Sequence, residues 1–325
     1  MSLNIAKAEL HVHLEGTAPP ALIQRIAKRN QVKLASELFN TDNHFNWRDF
    51  NEFMSMYELA CHAIKQPRDY YDITLTYLTQ CAQEGVIYVE ITYAPQLAQR
   101  YSDAPNQEHL QAIEQAMTEA RAKFDIEGRI LITAVRDFGV DECICTAKQA
   151  VAEKTTRVVG FGLAGNEIKF PPGQFAQAFQ IAHEGGLDCT VHAGEHVGPQ
   201  SIREALTLPI KRLGHGVRAI EDTDLIQEII DRDICLEICP SSNIALKIYP
   251  DYQSHPLLKL IAAGVKVTLN SDDPPYFATT VGKEYQLGKD IFDLSESQLK
   301  MITKTAIEAG FVDTEIKQQL IQRVR

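Results

Sequence analysis

Short apolar segments rich in β-branched residues alternate with longer amphipathic segments along most of this chain. Short apolar runs bounded by turn residues are typical of buried strands, whereas apolar positions spaced by three or four residues are typical of helices. The sequence predicts about eight strands, which are Ala8–His13, Val86–Tyr93, Arg129–Asp137, Val158–Ala164, Leu187–Ala193, Arg212–His215, Ile234–Cys239 and Lys266–Ser271.

Helical patterns fill most of the intervals between these predicted strands. The clearest are Ser102–Phe124, Asp141–Lys154, Gly173–Glu184, Glu221–Arg232 and His255–Ala263. Alternation of strands and helices is typical of βα units around a parallel sheet. With about eight units, the sequence predicts an α/β fold of the (β/α)8 TIM-barrel type.

One long segment, from about residue 19 to residue 85, interrupts this alternation. It contains several helical patterns, an aromatic run from Trp47 to Tyr57 and no strand pattern. We expect a helical insertion after the first strand, placed over the C-terminal mouth of the barrel, where it can shield a substrate from water. A polar helical stretch covers residues 283–325. Because no linker or repeat divides the chain, we expect residues 1–325 to form one domain.

The charge balance and the apolar pattern exclude several classes of partner. The chain has 32 basic and 43 acidic residues, a net charge of −11, so a nucleic-acid backbone would be repelled. No segment approaches the roughly 18 apolar residues of a membrane span, and the N-terminus lacks the apolar run of a signal peptide. We therefore expect a cytoplasmic protein that binds neither nucleic acid nor membranes. The sequence does not indicate an oligomeric state.

Two histidines, His11 and His13, close the first predicted strand. Side chains two residues apart in a strand point to the same side, so both imidazoles can reach one metal ion at about 2.1 Å. Single histidines are usually structural. A pair of them at the end of a barrel strand is polar where the core should be apolar, which favours two metal ligands.

Two later strands also end in histidines. His192 ends the fifth predicted strand and is followed by Glu195, while His215 ends the sixth between Gly214 and Gly216. His192 supplies a third ligand, and a carboxylic acid beside a metal pocket can hold a proton for transfer to substrate. The glycines allow a ligand or a bound water molecule to approach His215 closely. A buried, hydrogen-bonded histidine is the alternative for His215.

Two adjacent carboxylates, Asp272 and Asp273, follow the eighth strand. Alone they would indicate a turn, but together with the histidines they meet at one barrel face, where one can bind metal and the other can face the substrate. Three histidines and one aspartate with an open water position are typical of a mononuclear zinc site that lowers the pKa of water toward about 7. The fourth strand, Val158–Ala164, has no lysine to bridge two metals, so we expect one zinc ion per chain.

Five motifs resemble the adenosine deaminase branch of the amidohydrolase superfamily in order and spacing, across nearly the whole chain. They are His-Val-His-Leu-Glu-Gly at 11–16, Leu-Ala-Gly-Asn-Glu at 163–167, His-Ala-Gly-Glu at 192–195, Gly-His-Gly at 214–216 and Ser-Asp-Asp-Pro at 271–274. The resemblance implies four zinc ligands, His11, His13, His192 and Asp272. It implies that Glu195 passes a proton to purine N1 and that His215 orients the hydroxide. It also implies that Asp273 contacts N7 and that the backbone N–H of Gly165 contacts N3.

The resemblance implies hydrolytic deamination of a small 6-aminopurine. Many adenosine deaminases have aspartate where this chain has Glu15, near the ribose 5′-hydroxyl, and aspartate where it has Gly162. Adenine deaminases of the family carry glutamate at the first position, but their fourth-strand loop usually reads Ser-x-Glu, unlike residues 164–167. On that loop we expect adenosine and 2′-deoxyadenosine as substrates, with Glu15 accepting a hydrogen bond from the 5′-hydroxyl. Adenine or another aminopurine nucleoside is the alternative.

Two other classes of function are compatible with the same fold. A metal-dependent amide or ester hydrolase would use the same kind of site, but it would leave Asp273 and Gly165 without a role. A catalytically inactive purine-binding protein would not need the complete set of ligands. Both alternatives are therefore less favoured than deamination.

Overall fold

The computed structural model describes residues 3–324, which form an eight-stranded parallel sheet in the order β1 to β8. The strands are β1 Lys7–Glu9, β2 Val86–Tyr93, β3 Glu127–Val135, β4 Val158–Ala164, β5 Asp188–Ala193, β6 Arg212–His215, β7 Cys235–Ile238 and β8 Lys266–Leu269. The ring closes just beyond β1 and β8, where Val12 bridges Asp272 in parallel. This architecture confirms the predicted (β/α)8 barrel.

Helices connect the strands and surround the barrel. They are α1 Pro20–Arg29, α2 Phe50–Cys61, α3 Pro67–Gln83, α4 Pro95–Tyr101, α5 Asn106–Phe124, α6 Val140–Ala152, α7 Ala176–Glu184, α8 Pro199–Ala205, α9 Thr223–Asp231, α10 Pro240–Ala245, α11 Leu257–Ala262, α12 Val281–Asp290, α13 Glu296–Ala309 and α14 Thr314–Gln322. Short 3-10 turns lie at residues 15–17, 136–138, 172–175 and 217–221. Between residues 3 and 324, every helix is too short or too polar to cross a membrane.

Strand β2 shows why the barrel strands read as nearly continuous apolar runs. All eight of its residues are buried, because one face meets the barrel interior and the other meets the surrounding helices. Alternation between buried and exposed residues is therefore absent from this strand, and short length with β-branched side chains is the signal that identifies it.

The first strand is shorter than the predicted segment Ala8–His13. Regular pairing ends at Glu9, because the N–H of Leu10 donates to the side-chain Oδ1 of Asn270 (2.9 Å) instead of a strand carbonyl. Val12 and His13 then form isolated bridges with Asp272 and Thr92. This irregular passage is where the chain delivers its first two histidines to the barrel end.

The segment between β1 and β2 contains α1, α2 and α3. The Asp49 side chain caps α2 by accepting a hydrogen bond from the N–H of Glu52 (3.0 Å). Just before it, the Trp47 indole donates to the carbonyl of Tyr276 (3.2 Å), and its ring packs edge-on against Phe53. Because Tyr276 follows β8, these contacts hold α2 over the C-terminal end of the barrel.

Candidate active site

Three histidines and one aspartate converge at the C-terminal end of the barrel. The donor atoms of His11, His13, His192 and Asp272 all lie within 4.8 Å of one another. Asp272 Oδ1 is 3.4 Å from His11 Nε2 and 3.2 Å from His13 Nε2, while its Oδ2 accepts a hydrogen bond from the Ser242 hydroxyl (2.7 Å). Three ring nitrogens and one carboxylate oxygen aimed at one point form a donor set suited to a transition metal.

One observation tests directly whether this cluster fits a metal. The Nε2 atom of His11 is buried and has no hydrogen-bond partner among the residues that the structure describes. A buried polar atom without a partner is costly, and such atoms in a folded protein need an explanation. A metal ion at the centre of the donor set would provide it.

The opposite side of the His11 ring is held by a buried carboxylate. His11 Nδ1 lies 2.7 Å from Glu237 Oε2, and the other oxygen of Glu237 accepts from the Arg212 Nε (2.6 Å). Burial alone would raise the pKa of Glu237, but the Arg212 guanidinium and the hydrogen bond with His11 lower that pKa to about 2. A charged carboxylate at Nδ1 fixes the tautomer of His11 and leaves Nε2 free for a ligand.

The other two histidines are oriented in the same way by neighbouring strands. His13 Nδ1 lies 3.0 Å from the Thr92 hydroxyl at the end of β2. His192 Nδ1 lies 3.0 Å from the carbonyl oxygen of Leu163 in β4. Each ring therefore uses its Nδ1 for a protein partner, and both Nε2 atoms, 3.2 Å apart, face the cluster.

Glu195 and His215 stand next to the donor set. Glu195 Oε1 is 3.7 Å from His215 Nδ1, and both atoms are buried without a hydrogen-bond partner in residues 3–324. Burial raises the pKa of Glu195 well above its usual value and lowers the pKa of His215 to about 3. The site thus pairs a carboxyl group able to retain a proton with a neutral imidazole.

His215 and Asp272 both adopt left-handed backbone conformations, with φ of 58° and 63°. Residues other than glycine rarely occupy this region, and they cluster at functional sites when they do. Gly214, just before His215, has no room for a side chain, because a Cβ there would lie 2.9 Å from the His11 ring. The glycine on this side of His215 is therefore required by close packing against the cluster.

Glu167 has a role that sequence reasoning did not assign. Its buried carboxylate accepts hydrogen bonds from five donors in the loop after β5 and the start of α8. The donors are the backbone N–H groups of Gly194, Glu195, His196 and Val197 and the hydroxyl of Ser201. These bonds fix the loop that carries Glu195. The only sequence signal was the position of Glu167 inside the motif at 163–167.

A cavity of about 260 Å³ opens from the cluster toward α2. Aromatic and aliphatic side chains form much of its wall, namely Phe50, Phe53, Met54, Leu97, Val135 and Phe138. Asp273 also lines it, and its Oδ1 is buried with no hydrogen-bond partner within the described part of the chain. Gly165 also lines the cavity, with φ of 101°, a conformation that favours glycine.

Glu15 lies in the wall of the same cavity and is buried. Its Oε1 accepts a hydrogen bond from the backbone N–H of Ala94 (3.3 Å). Burial raises the pKa of Glu15 to about 7. The carboxyl group therefore has a protein partner besides any contact with a substrate.

The structure places all nine predicted site residues at this end of the barrel. Eight of them line the cavity, and His11 belongs to the donor cluster without lining the cavity. The individual roles assigned to them remain predictions. Sequence reasoning missed the supporting residues Glu167, Glu237 and Thr92, whose partners lie far away along the chain.

Comparison with known proteins gives one consistent result. The family model described as "Adenosine deaminase" matches residues 6–325. An adenine deaminase from Agrobacterium fabrum is 40% identical over 325 residues, covering 100% of this chain and 99% of the relative. An adenine deaminase from Mesorhizobium japonicum is 42% identical over 319 residues, covering 98% of each.

Solved structures share the fold over nearly the same extent. The crystal structure of an adenine deaminase from Arthrobacter aurescens aligns with a TM-score of 0.90 and 28% identity, covering 98% of each chain. An amidohydrolase from Burkholderia ambifaria with bound Zn aligns with a TM-score of 0.88 and 23% identity. It covers 97% of this chain and 88% of that one, and at this identity the likeness shows the fold alone.

Proposed function

Since this chain belongs to the adenosine deaminase family and is a hydrolytic deaminase of that family acting on a purine, we propose that its substrate is adenine. The products are then hypoxanthine and ammonia. The observation that carries the chemistry is the cluster of His11, His13, His192 and Asp272 beside Glu195, whose Oε1 is buried with no hydrogen-bond partner in residues 3–324.

The choice of adenine departs from the expectation of adenosine based on the loop at 164–167. Relatives that are 40% and 42% identical over nearly the full chain are named adenine deaminases, as is the Arthrobacter aurescens structure. They support the alternative better than the first expectation. Glu15 is consistent with adenine as the substrate. Its side chain is one methylene longer than that of aspartate and so fills more of the cavity, and its carboxyl group already accepts a hydrogen bond from the backbone N–H of Ala94.

We propose that one zinc ion is held by His11, His13, His192 and Asp272. The Nε2 of His11, which has no hydrogen-bond partner in the part of the chain that the structure describes, supports this set, as do the three Nδ1 contacts that leave the Nε2 atoms available. When bound, zinc supplies Lewis acidity that lowers the pKa of a water molecule. The rest of the chemistry belongs to the residues around the metal.

Glu195 and His215 are proposed to handle the proton and the water. Glu195 gives a proton to purine N1 while the oxygen of water adds to C6, and it takes up the proton that the water loses. Glu195 then passes this proton to N6, the C6–N6 bond breaks to release ammonia, and the remaining hydroxyl proton returns to Glu195 as the C6 carbonyl of hypoxanthine forms. The neutral imidazole of His215 orients the attacking water through its Nδ1, which has no hydrogen-bond partner among the described residues. The loop bonds to Glu167 keep Glu195 in place during this transfer.

Asp273 and Gly165 are proposed to hold the base. The Oδ1 of Asp273 lines the cavity with no hydrogen-bond partner among residues 3–324, and burial raises the pKa of Asp273 to about 8, so that this carboxyl group can carry a proton and donate it in a hydrogen bond to N7. The backbone N–H of Gly165 is assigned as the donor to N3. The apolar wall around them excludes water from the base, which strengthens both hydrogen bonds.

The proposal is tested by incubating the purified, zinc-loaded protein with adenine and following hypoxanthine and ammonia. We expect stoichiometric release of both products. An inactive purine-binding protein or an amide hydrolase would release no ammonia from adenine, adenosine or 2′-deoxyadenosine, and that result would overturn the assignment.

A further inference from the structure

Asp137 is a cavity residue with no part in the chemistry described so far. It follows the end of β3 in the 3-10 turn Arg136–Phe138 and is exposed at the cavity mouth. Val135 of β3 pairs with Ala164 of β4, so the residues just beyond these two positions emerge side by side. Asp137 therefore stands next to Gly165.

The contact between these two residues is tight. A Cβ at position 165 would collide with Asp137 Oδ2. The same oxygen accepts a hydrogen bond from the backbone N–H of Asn166 (2.8 Å), and within residues 3–324 this is the bond that fixes the carboxylate. Glycine at 165 thus serves two purposes, because it allows the positive φ and leaves room for the carboxylate.

Within residues 3–324, the charged group nearest in sequence, Arg136, forms no ion pair with this carboxylate. Arg136 is buried, and its guanidinium donates to the carbonyl oxygens of Phe170 (3.1 Å) and His192 (2.7 Å). Asp137 Oδ2 accepts the hydrogen bond from the N–H of Asn166. Its other oxygen, Oδ1, is therefore available as a hydrogen-bond acceptor in the cavity.

Purine geometry identifies the atom that this acceptor faces. In the proposed binding mode Glu195 lies at N1, Gly165 at N3 and Asp273 at N7, so N9 is the one ring nitrogen without a partner. N3 is bonded to C2, which leads to N1, and to C4, which leads to N9. Glu195 follows β5, Gly165 follows β4 and Asp137 follows β3, so Asp137 lies on the side of Gly165 away from Glu195, and this is the side of N9. Glu15 is less suited, because its partner Ala94 follows β2, two strands away from Gly165.

We propose that Asp137 is a specificity-determining residue that accepts a hydrogen bond from the N9–H of adenine. This inference rests on the proposed deamination of adenine. Substitution at N9, by a methyl group or by ribose, removes that hydrogen and leaves the carboxylate facing carbon. A site built to bond an N–H group discriminates against analogues that lack it, because its own polar group loses its partner.

The test compares adenine with 9-methyladenine in the wild-type enzyme and in Asp137→Asn. Asparagine keeps an oxygen for the Asn166 N–H but removes the charged acceptor. We expect kcat/KM for adenine to fall about tenfold or more, as for loss of a hydrogen bond to a charged group, and kcat/KM for 9-methyladenine to change less than about twofold. Where 9-methyladenine turns over too slowly, inhibition constants of purine and 9-methylpurine provide the same comparison.

Asp141→Asn is the matched control, since it removes the same charge from an exposed position in α6 outside the cavity. It should leave both substrates unaffected. Equal losses on both substrates in Asp137→Asn would mean that Asp137 only supports the Asn166 loop, and no loss on adenine would mean that N9 is not bound there. Either result overturns the inference while adenine deamination stands. A wild-type enzyme inactive on adenine would instead overturn the proposed function.

Discussion

The carboxylate of Glu167, in the loop after β4, accepts a hydrogen bond from the backbone N–H of Glu195, in the loop after β5, at 3.2 Å. Three neighbouring N–H groups and the Ser201 hydroxyl bind the same carboxylate. An acid that receives this many donors acts as a fixed anchor for the loop. The position of Glu195 relative to the donor cluster therefore depends on Glu167.

Replacing Glu167 by glutamine should reduce turnover without removing the metal. The amide keeps one acceptor oxygen and introduces an N–H group that repels the loop donors, so Glu195 loses its fixed position. We expect kcat to fall by about 10², with the metal content by elemental analysis unchanged. Glu184→Gln, an exposed change in α7, is the control. An unchanged kcat in Glu167→Gln would show that the loop holds Glu195 without this anchor.

Glu195→Gln should separate proton transfer from metal binding. The amide is nearly isosteric but cannot give a proton to N1, so kcat should drop about 10² to 10⁴-fold, the usual contribution of a general acid. The metal content should match that of the wild type, because Glu195 is outside the donor cluster. Turnover close to wild type would assign the proton transfer to another group.

Glu237→Gln should weaken metal binding. Glu237 holds His11 Nδ1 at 2.7 Å, and loss of a carboxylate that orients a metal-binding histidine typically lowers metal affinity about 10 to 100-fold. The measurement is competition with a chelator of known affinity.

Glu90→Gln is the matched control for this change, because both acids contact the buried Arg212 but Glu237 alone of the two contacts His11. Removing either acid leaves Arg212 with one anion fewer and should lower the free energy of unfolding by about 3 kcal/mol. A loss of metal affinity of the same size in both variants would attribute the effect to general destabilisation.

The barrel could be predicted because its strands are short, apolar and regularly spaced. The strand Val158–Ala164 and the strand Arg212–His215 have the predicted bounds. The end of β1 could not be predicted, since it depends on the side chain of Asn270, which is 260 residues away along the chain. A local pattern carries no information about such a contact.

The candidate site could be predicted from the sequence to a similar extent as the fold. Chemistry-bearing residues at strand ends, such as His11 and His192, could be found because a barrel brings all strand ends to one face. Glu237 reads as one acid within an apolar strand, and its contact with His11 spans 226 residues. The choice between adenine and adenosine as the substrate depended on the extra methylene that Glu15 has relative to aspartate and on the loop at residues 164–167. A single sequence does not show how such small differences change the shape of the cavity.

The most direct test of the account is a competition between adenine and adenosine in one reaction. Equimolar amounts of both are incubated with the zinc-loaded enzyme, and hypoxanthine and inosine are separated by chromatography at low conversion, so that their ratio gives the ratio of the two kcat/KM values. We expect hypoxanthine to exceed inosine by about tenfold or more, because N9–H is bound in adenine and absent from adenosine. An excess of inosine would contradict it.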